Sequence, residues 1–292
     1  MPIAETLNPS TDILPVLRRT GYTIEVAIAD MIDNCITAEA KKISINMHAS
    51  PEIEDSWITV EDDGHGMTET ELIENLRMTT KKKAGLYEDK EGGLGRFGIG
   101  AKLAPLSFCK SVTVYTKKNG SISIRRWDVD HVSKTKKFQL LTKKYEHGNQ
   151  KILDNILDET LDKINSGTTF LCQKLDGFLD DYEVKYRSKE KLHQAIYAKR
   201  LFIRDYLLMT HYEYLKSGNL KIVINNNPED MVPWDPFCTY HKKTKVIGPK
   251  ILNYGNSKCK ITGYILPRRN EFESKNKLSR RSRWLERWRM GR

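Results

Sequence analysis

Residues 92–100 read Gly-Gly-Leu-Gly-Arg-Phe-Gly-Ile-Gly and run directly into Ala101-Lys102-Leu103-Ala104. A glycine-dense turn that opens a helix restricts a fold strongly. The N–H groups of a first helical turn have no partner within the helix and carry the positive end of its dipole, so they suit an anion. Gly95, Gly98 and Gly100 would let that anion approach the backbone, with Arg96, Phe97 and Ile99 between them. The turn is not a Walker A loop, because no Gly-Lys-Ser/Thr closes it. Its G-x-x-G-x-G spacing is not the dinucleotide fingerprint either. Taken alone, such a cluster also suits any sharp loop.

The neighbouring segments narrow the choice. Apolar residues Ile24, Ala27, Ile28, Met31, Cys35 and Ala38 recur at helical spacing after Thr23 and predict a first helix ending near Ala40. Lys42–Met47 and Ser56–Val60 are short, with β-branched and aromatic residues, and predict strands. The second strand runs into Glu61-Asp62-Asp63-Gly64-His65-Gly66. A polar helix is expected from about Thr68, then the Lys81–Lys83 stretch, then the Gly-rich turn opening a helix through Phe108. Strands are expected at Ser111–Thr116, Ser121–Trp127 and, past a charged stretch, Thr168–Leu175. A helix over Lys189–Leu215 and strands at Leu220–Asn225, Lys245–Leu252 and Cys259–Leu266 complete the reading.

Charge divides the chain unevenly. Residues 1–178 hold 24 Lys+Arg against 26 Asp+Glu, net −2, and residues 179–292 hold 25 against 12, net +13. Ten of those basic residues lie in 268–292, so the second half suits a polyanion partner or a solvated tail. At 292 residues, with 39% hydrophobic residues, the chain is long and apolar enough for two globular domains. No run reaches the roughly 18 apolar residues of a membrane helix, and Met1–Glu5 has neither a basic nor an apolar signal region. The expectation is a cytoplasmic chain without membrane contact. Cys35, Cys109, Cys172, Cys238 and Cys259 are scattered, with no C-x-x-C pair, and are expected to be reduced.

Taken in order, Asp30-Met31-Ile32-Asp33-Asn34, Asp62-x-Gly64-x-Gly66, the Lys-rich stretch, Gly95–Gly100 and Ser166-Gly167-Thr168-Thr169-Phe170 resemble the motifs of the GHKL ATPases. That superfamily includes gyrase B, the ninety-kilodalton heat-shock chaperone, MutL and the histidine kinases. The wording I-A-D-M-I-D-N-C and G-R-F-G-I-G-A-K is most similar to the bacterial MORC-like members. The resemblance implies an α/β fold of the α+β two-layer sandwich type: a Bergerat-type ATP-binding domain over 1–178, followed by part of a transducer-like α+β domain over 179–292. It implies ATP and Mg2+ as ligands and slow hydrolysis that drives lid closure and homodimer association.

The chemistry open to each residue can be stated separately. Asp30 and Asn34 are four apart and share a helix face. A carboxylate there can deprotonate water, and an amide oxygen is a hard ligand for Mg2+. The same residues also fit a solvated helix face. The resemblance makes Asp30 the general base where relatives carry Glu, shorter by about 1.5 Å, and sets Thr37 where relatives carry an acid. It assigns Asp62 to the exocyclic amine of adenine with help from Thr168, while Gly64 and Gly66 give room and Met67 packs on the base. Gly95, Arg96, Phe97, Gly98, Ile99, Gly100 and Lys102 would surround the phosphates, and residues 79–97 would form the lid. Competing readings are a non-hydrolysing ATP-binding switch and a basic module that contacts DNA without sequence preference through the C-terminal half. A histidine kinase is the weaker enzyme rival, since no helix pair with a phosphoaccepting histidine precedes Thr20.

Overall fold

The computed structural model describes residues 18, 22–48, 50, 56–77, 104–142, 165–178, 189–227, 231, 233, 235–255 and 257–268. The Gly-rich turn, Lys102, the expected lid and the tail beyond residue 268 lie outside them. The chain divides into two compact units, Met1–Val232 and Pro233–Arg292.

The first unit is built on a six-stranded sheet. Its strands are β1 (Lys42–His48), β2 (Trp57–Asp62), β3 (Ser111–Lys118), β4 (Ser121–Asp128), β5 (Gly167–Gln173) and β6 (Lys221–Ile224), in the spatial order β4-β3-β5-β2-β1-β6. Every neighbouring pair is antiparallel except β1 and β6. Helix α1 (Ile24–Thr37) carries the predicted apolar stripe, and Ala27, Ile28, Met31 and Ile32 are fully buried. The mixed sheet and its helices form the expected α+β sandwich, and its central strands β2, β3 and β5 are buried along nearly their whole length.

Local chemistry fixes the shorter helices. Helix α2 (Glu69–Leu76) starts in a capping box: Thr68 Oγ1 accepts from the Glu71 N–H at 3.3 Å while Glu71 Oε2 accepts from the Thr68 N–H at 2.7 Å. Those bonds, with the Lys118 ammonium 2.9 Å away, hold the Glu71 carboxyl down at about 2. At the other end of α2, Trp127 Nε1 donates to Leu76 O at 3.0 Å and ties the helix to β4. Helix α3 (Val129–Thr135) falls in the stretch read as merely charged. Only Val129 and Val132 are buried on it, too few to show a period, and its start is made by Asp128 accepting from the His131 N–H at 3.1 Å.

Ahead of Phe108 the described chain forms a short 3-10 turn, Pro105–Ser107. Arg18 secures that turn from the far side: its Nε donates to Leu106 O at 2.7 Å and its Nη2 to Cys109 O at 3.2 Å, with Asp176 pairing to the same guanidinium. The helix expected over Lys189–Leu215 is two, α4 (Lys189–Thr210) and α5 (Tyr212–Lys216), broken at His211. Helix α4 packs on α1, and the chain then enters β6 beside β1, so the sheet of the first unit takes its last strand from beyond residue 178. The second unit contains the antiparallel hairpin β7 (Lys245–Tyr254) and β8 (Ser257–Ile265), close to the two strands expected there.

Candidate functional site

The turn after β2 sets the site. Asp63 Oδ1 accepts from the Lys41 and Lys42 N–H groups, each at 2.8 Å, and the His65 N–H donates to Ala38 O at 3.0 Å. These bonds press the turn against the end of α1. A Cβ on Gly64 would lie 2.6 Å from Ala38 O, and one on Gly66, where φ is +64°, only 1.9 Å from Lys117 O. Both glycines are thus demanded by protein backbone, independently of any ligand. The ring of His65 is exposed, with Nδ1 2.7 Å from Gly66 O.

Asp62, the last residue of β2, is 5% exposed and sits in register with Thr168, near the start of β5. Its Oδ1 accepts from the Gly64 N–H at 2.8 Å, and the Thr168 backbone N–H also donates to the carboxylate. Burial outweighs these donors and pushes its pKa up to about 6. At neutral pH the group is charged, poorly hydrated and receptive to a further N–H donor.

A hydroxyl that the sequence did not single out organises the other side. Thr116 on β3 accepts from the Met67 N–H at 2.8 Å, donates to Gly167 O at 3.1 Å and lies 3.2 Å from Thr168 Oγ1. Met67, half-buried, is therefore fixed through its backbone. Thr116 faces Thr168 across the β3–β5 ladder. Only the register reveals that relation, although the run of three threonines on facing strand ends is visible once the strands are aligned.

Helix α1 supplies the rest. The Asn34 Nδ2 donates to Asp30 O at 2.8 Å, which leaves its Oδ1 as the remaining ligand atom. Asp30 Oδ2 is buried and has no hydrogen-bond partner. Burial first, and the nearby Asp33 charge second, raise the Asp30 carboxyl above the ordinary carboxylate range and make it a stronger base. Burial first, and the Asp30 charge second, raise the Tyr22 phenol as well. Thr37, where relatives would carry an acid, returns its hydroxyl to Asp33 O at 2.8 Å. The Asn34 Oδ1, with its amide nitrogen already committed to Asp30 O, is a hard neutral oxygen that fits a magnesium ion, which keeps several waters and needs few protein ligands. Asn34 would hold it.

The structure thus brings Asp30, Asn34, Asp62, Gly64, Gly66, Met67 and Thr168 onto one unit. Gly95, Arg96, Phe97, Gly98, Ile99, Gly100 and Lys102 lie outside the described residues.

A two-layer α+β sandwich with an amide-bearing helix and a buried aspartate at a strand end is the arrangement that the resemblance to the GHKL ATPases implies. Residues 22–168 match the family model described as histidine kinase-, DNA gyrase B-, and HSP90-like ATPase, and the chain belongs to that family. No curated protein matches it. Domains of this family take ATP with Mg2+.

Asp62 makes a measurable contribution to the stability of the ligand-free protein. Its proton is held more tightly folded, at about 6, than at the ordinary 3.8. The stability it lends at low pH is therefore lost as pH rises through that window, by about 3 kcal/mol. Urea unfolding at intervals across it should show Asp62→Asn gaining on the wild type by about 2 to 3 kcal/mol as pH rises from 4 to 7. A pH-independent difference between the two proteins would contradict the burial argument.

Proposed function

We propose that this chain binds ATP with Mg2+ and hydrolyses it slowly, in the manner of the MORC-like members, and that the nucleotide governs lid closure over residues 79–97 and association of two copies. The observation that carries the reading is Asp62, a buried carboxylate at a strand end, paired with Thr168 and anchored by Gly64. Adenine presents an exocyclic N–H donor where guanine presents a carbonyl acceptor, so a charged acceptor there discriminates between them. On this reading residues 1–178 supply the site and 179–292 the transducer-like part, from which β6 joins the sheet of the first unit beside β1 and α4 packs on α1.

In hydrolysis Asp30 takes a proton from water as the water oxygen attacks the γ-phosphorus. The bond from that phosphorus to the β,γ-bridging oxygen breaks, and ADP leaves with its electron pair. Magnesium, held at Asn34, supplies charge neutralisation at the phosphates when bound. The raised basicity and unpartnered Oδ2 of Asp30 support the role of base despite the shorter side chain. Protein near the ordinary pH of assay should bind ATP almost normally as Asp30→Asn while losing hydrolysis by a factor of about 100 to 10,000. Asn34→Ala should weaken binding and turnover together. Undiminished turnover in Asp30→Asn names the wrong base, and ATP binding without any wild-type turnover favours the switch.

A second reading concerns the basic half. No Asp or Glu stands between Asp235 and Glu271, and Lys245, Lys250, Lys258 and Lys260 on the β7–β8 hairpin are all exposed. A two-stranded ribbon of one charge sign suits the phosphates of duplex DNA. The arginines of the tail, Arg280, Arg281, Arg283 and Arg287, would add to it. If the four hairpin lysines each meet a phosphate, log K against log salt falls with a slope of about −3.6, and Lys250, Lys258 and Lys260 replaced by Ala flatten it by about 2.7. A salt series in which duplex DNA fails to bind even at low salt removes this role.

A further inference from the structure

The hairpin β7–β8 leaves an apolar face open. Directly opposite residues of two antiparallel strands share a face, and the register pairs Lys245 with Ile265, Ile247 with Gly263, Lys250 with Ile261 and Leu252 with Cys259. On that face Leu252, Ile261, Ile265 and Ile247 are 42, 48, 53 and 57% exposed, and Cys259 is exposed as well. Single apolar residues at a surface are ordinary, whereas four in one register block form a patch. A two-stranded hairpin buries too little to hold itself together in water and needs a further layer. The opposite face has the start of one at its base, where Tyr264 stacks on Phe237 from the preceding turn with ring centroids 4.5 Å apart.

The chain itself narrows what can supply that layer. Outside the described residues the second unit, Pro233–Arg292, has one long stretch, 269–292, which follows directly on the end of β8. In it Leu278, Trp284, Leu285 and Trp288 recur at helical spacing, while Arg280, Arg283 and Arg287 fall away from that stripe in the same period. Arg281 falls within the stripe, and its long stem can carry the charge to the rim. Residues 266–277 precede the stripe and can span roughly 40 Å, more than the roughly 30 Å length of β8, so the stripe can return along the open face. The other occupants fit less well. A polyanion gains nothing from the isoleucines, and a second copy of the face would set Lys245 and Lys250 against their own counterparts.

We propose that residues 278–288 dock as an amphipathic helix on the Ile247, Leu252, Ile261 and Ile265 face of the hairpin, with Trp284 and Trp288 set against it. The tail is then a layer of the second unit rather than a solvated extension. Its outer arginines stand beside the hairpin's lysines and make one basic surface with them. Neither ATP nor DNA enters this docking.

A native probe sits on the face. Cys35, Cys109, Cys172 and Cys238 are buried, so Cys259 is the cysteine that a maleimide reaches first in the full chain. Its labelling, followed by mass spectrometry, should be slow in the wild type and about tenfold or more faster when Trp284 and Trp288 are both replaced by Ser. Trypsin cleavage between Arg280 and Arg289 gives a second readout from the hairpin side. It should rise when Leu252→Ser and Ile261→Ser are combined, and stay at the wild-type level in Ile251→Ser, because Ile251 is 61% exposed on the opposite face. The hairpin variants decide the matter should the tryptophan variant fail to fold. Equal labelling of Cys259 in the wild type and the tryptophan variant overturns the proposal, as does equal cleavage in Ile251→Ser and in the Leu252, Ile261 double variant. Protection of Cys259 that fades as the protein is diluted assigns the face to a second copy and overturns it as well.

Discussion

The clamp between the Asp62–Gly66 turn and the C-terminal end of α1 is the constraint on which the site depends. Asp63 caps the Lys41 and Lys42 amides, His65 bonds Ala38 O, and Gly64 packs so tightly on Ala38 that no side chain fits. Backbone-to-backbone contact of this kind has no rotamer freedom to absorb error. It fixes the end of α1 against the sheet, and with α1 come Asp30, Asn34 and Cys35. Asp62 in turn is held at the other end of the same turn, where its Oδ1 accepts from the Gly64 N–H at 2.8 Å.

Electrostatics gives that structure its chemical character. Asp62 and Asp30 are both pushed above their ordinary range by burial, but their surroundings differ. Asp62 is surrounded by donors and is primed to accept one more. Asp30 has an oxygen with nothing bonded to it, which a protein tolerates only where a ligand, water or ion will supply a partner. On the function proposed above, the same residue type serves as binding acceptor and as base because its neighbours differ.

Much of this was legible in the sequence, for definite reasons. Helix α1 showed itself by its apolar period, and β1, β2, β3, β4 and β5 by short β-branched runs between turn residues. Asp62, Gly64 and Gly66 stood out through the order of the motifs and their resemblance to the GHKL ATPases, since Asp and Gly alone also suit an ordinary β-turn. The reason for the glycines, however, lies in Ala38 and Lys117, which no local pattern joins to them. Thr116 emerges only from the register of β3 on β5. Helix α3 was missed because a polar cap, rather than an apolar stripe, starts it. His211 meets Asp33 across 178 residues of chain, a pairing set by α4 lying on α1 and by nothing in the neighbourhood of either residue.

The central claim is that this site reads adenine through a buried, ionised Asp62. Calorimetric titration of the full chain with ATP, GTP and a non-hydrolysable ATP analogue, each with and without Mg2+, addresses it most directly. The account predicts that ATP and its analogue bind with Mg2+ and that GTP binds at least about tenfold more weakly, the effect of one charge-assisted hydrogen bond to a buried partner. Equal affinity for ATP and GTP would contradict it.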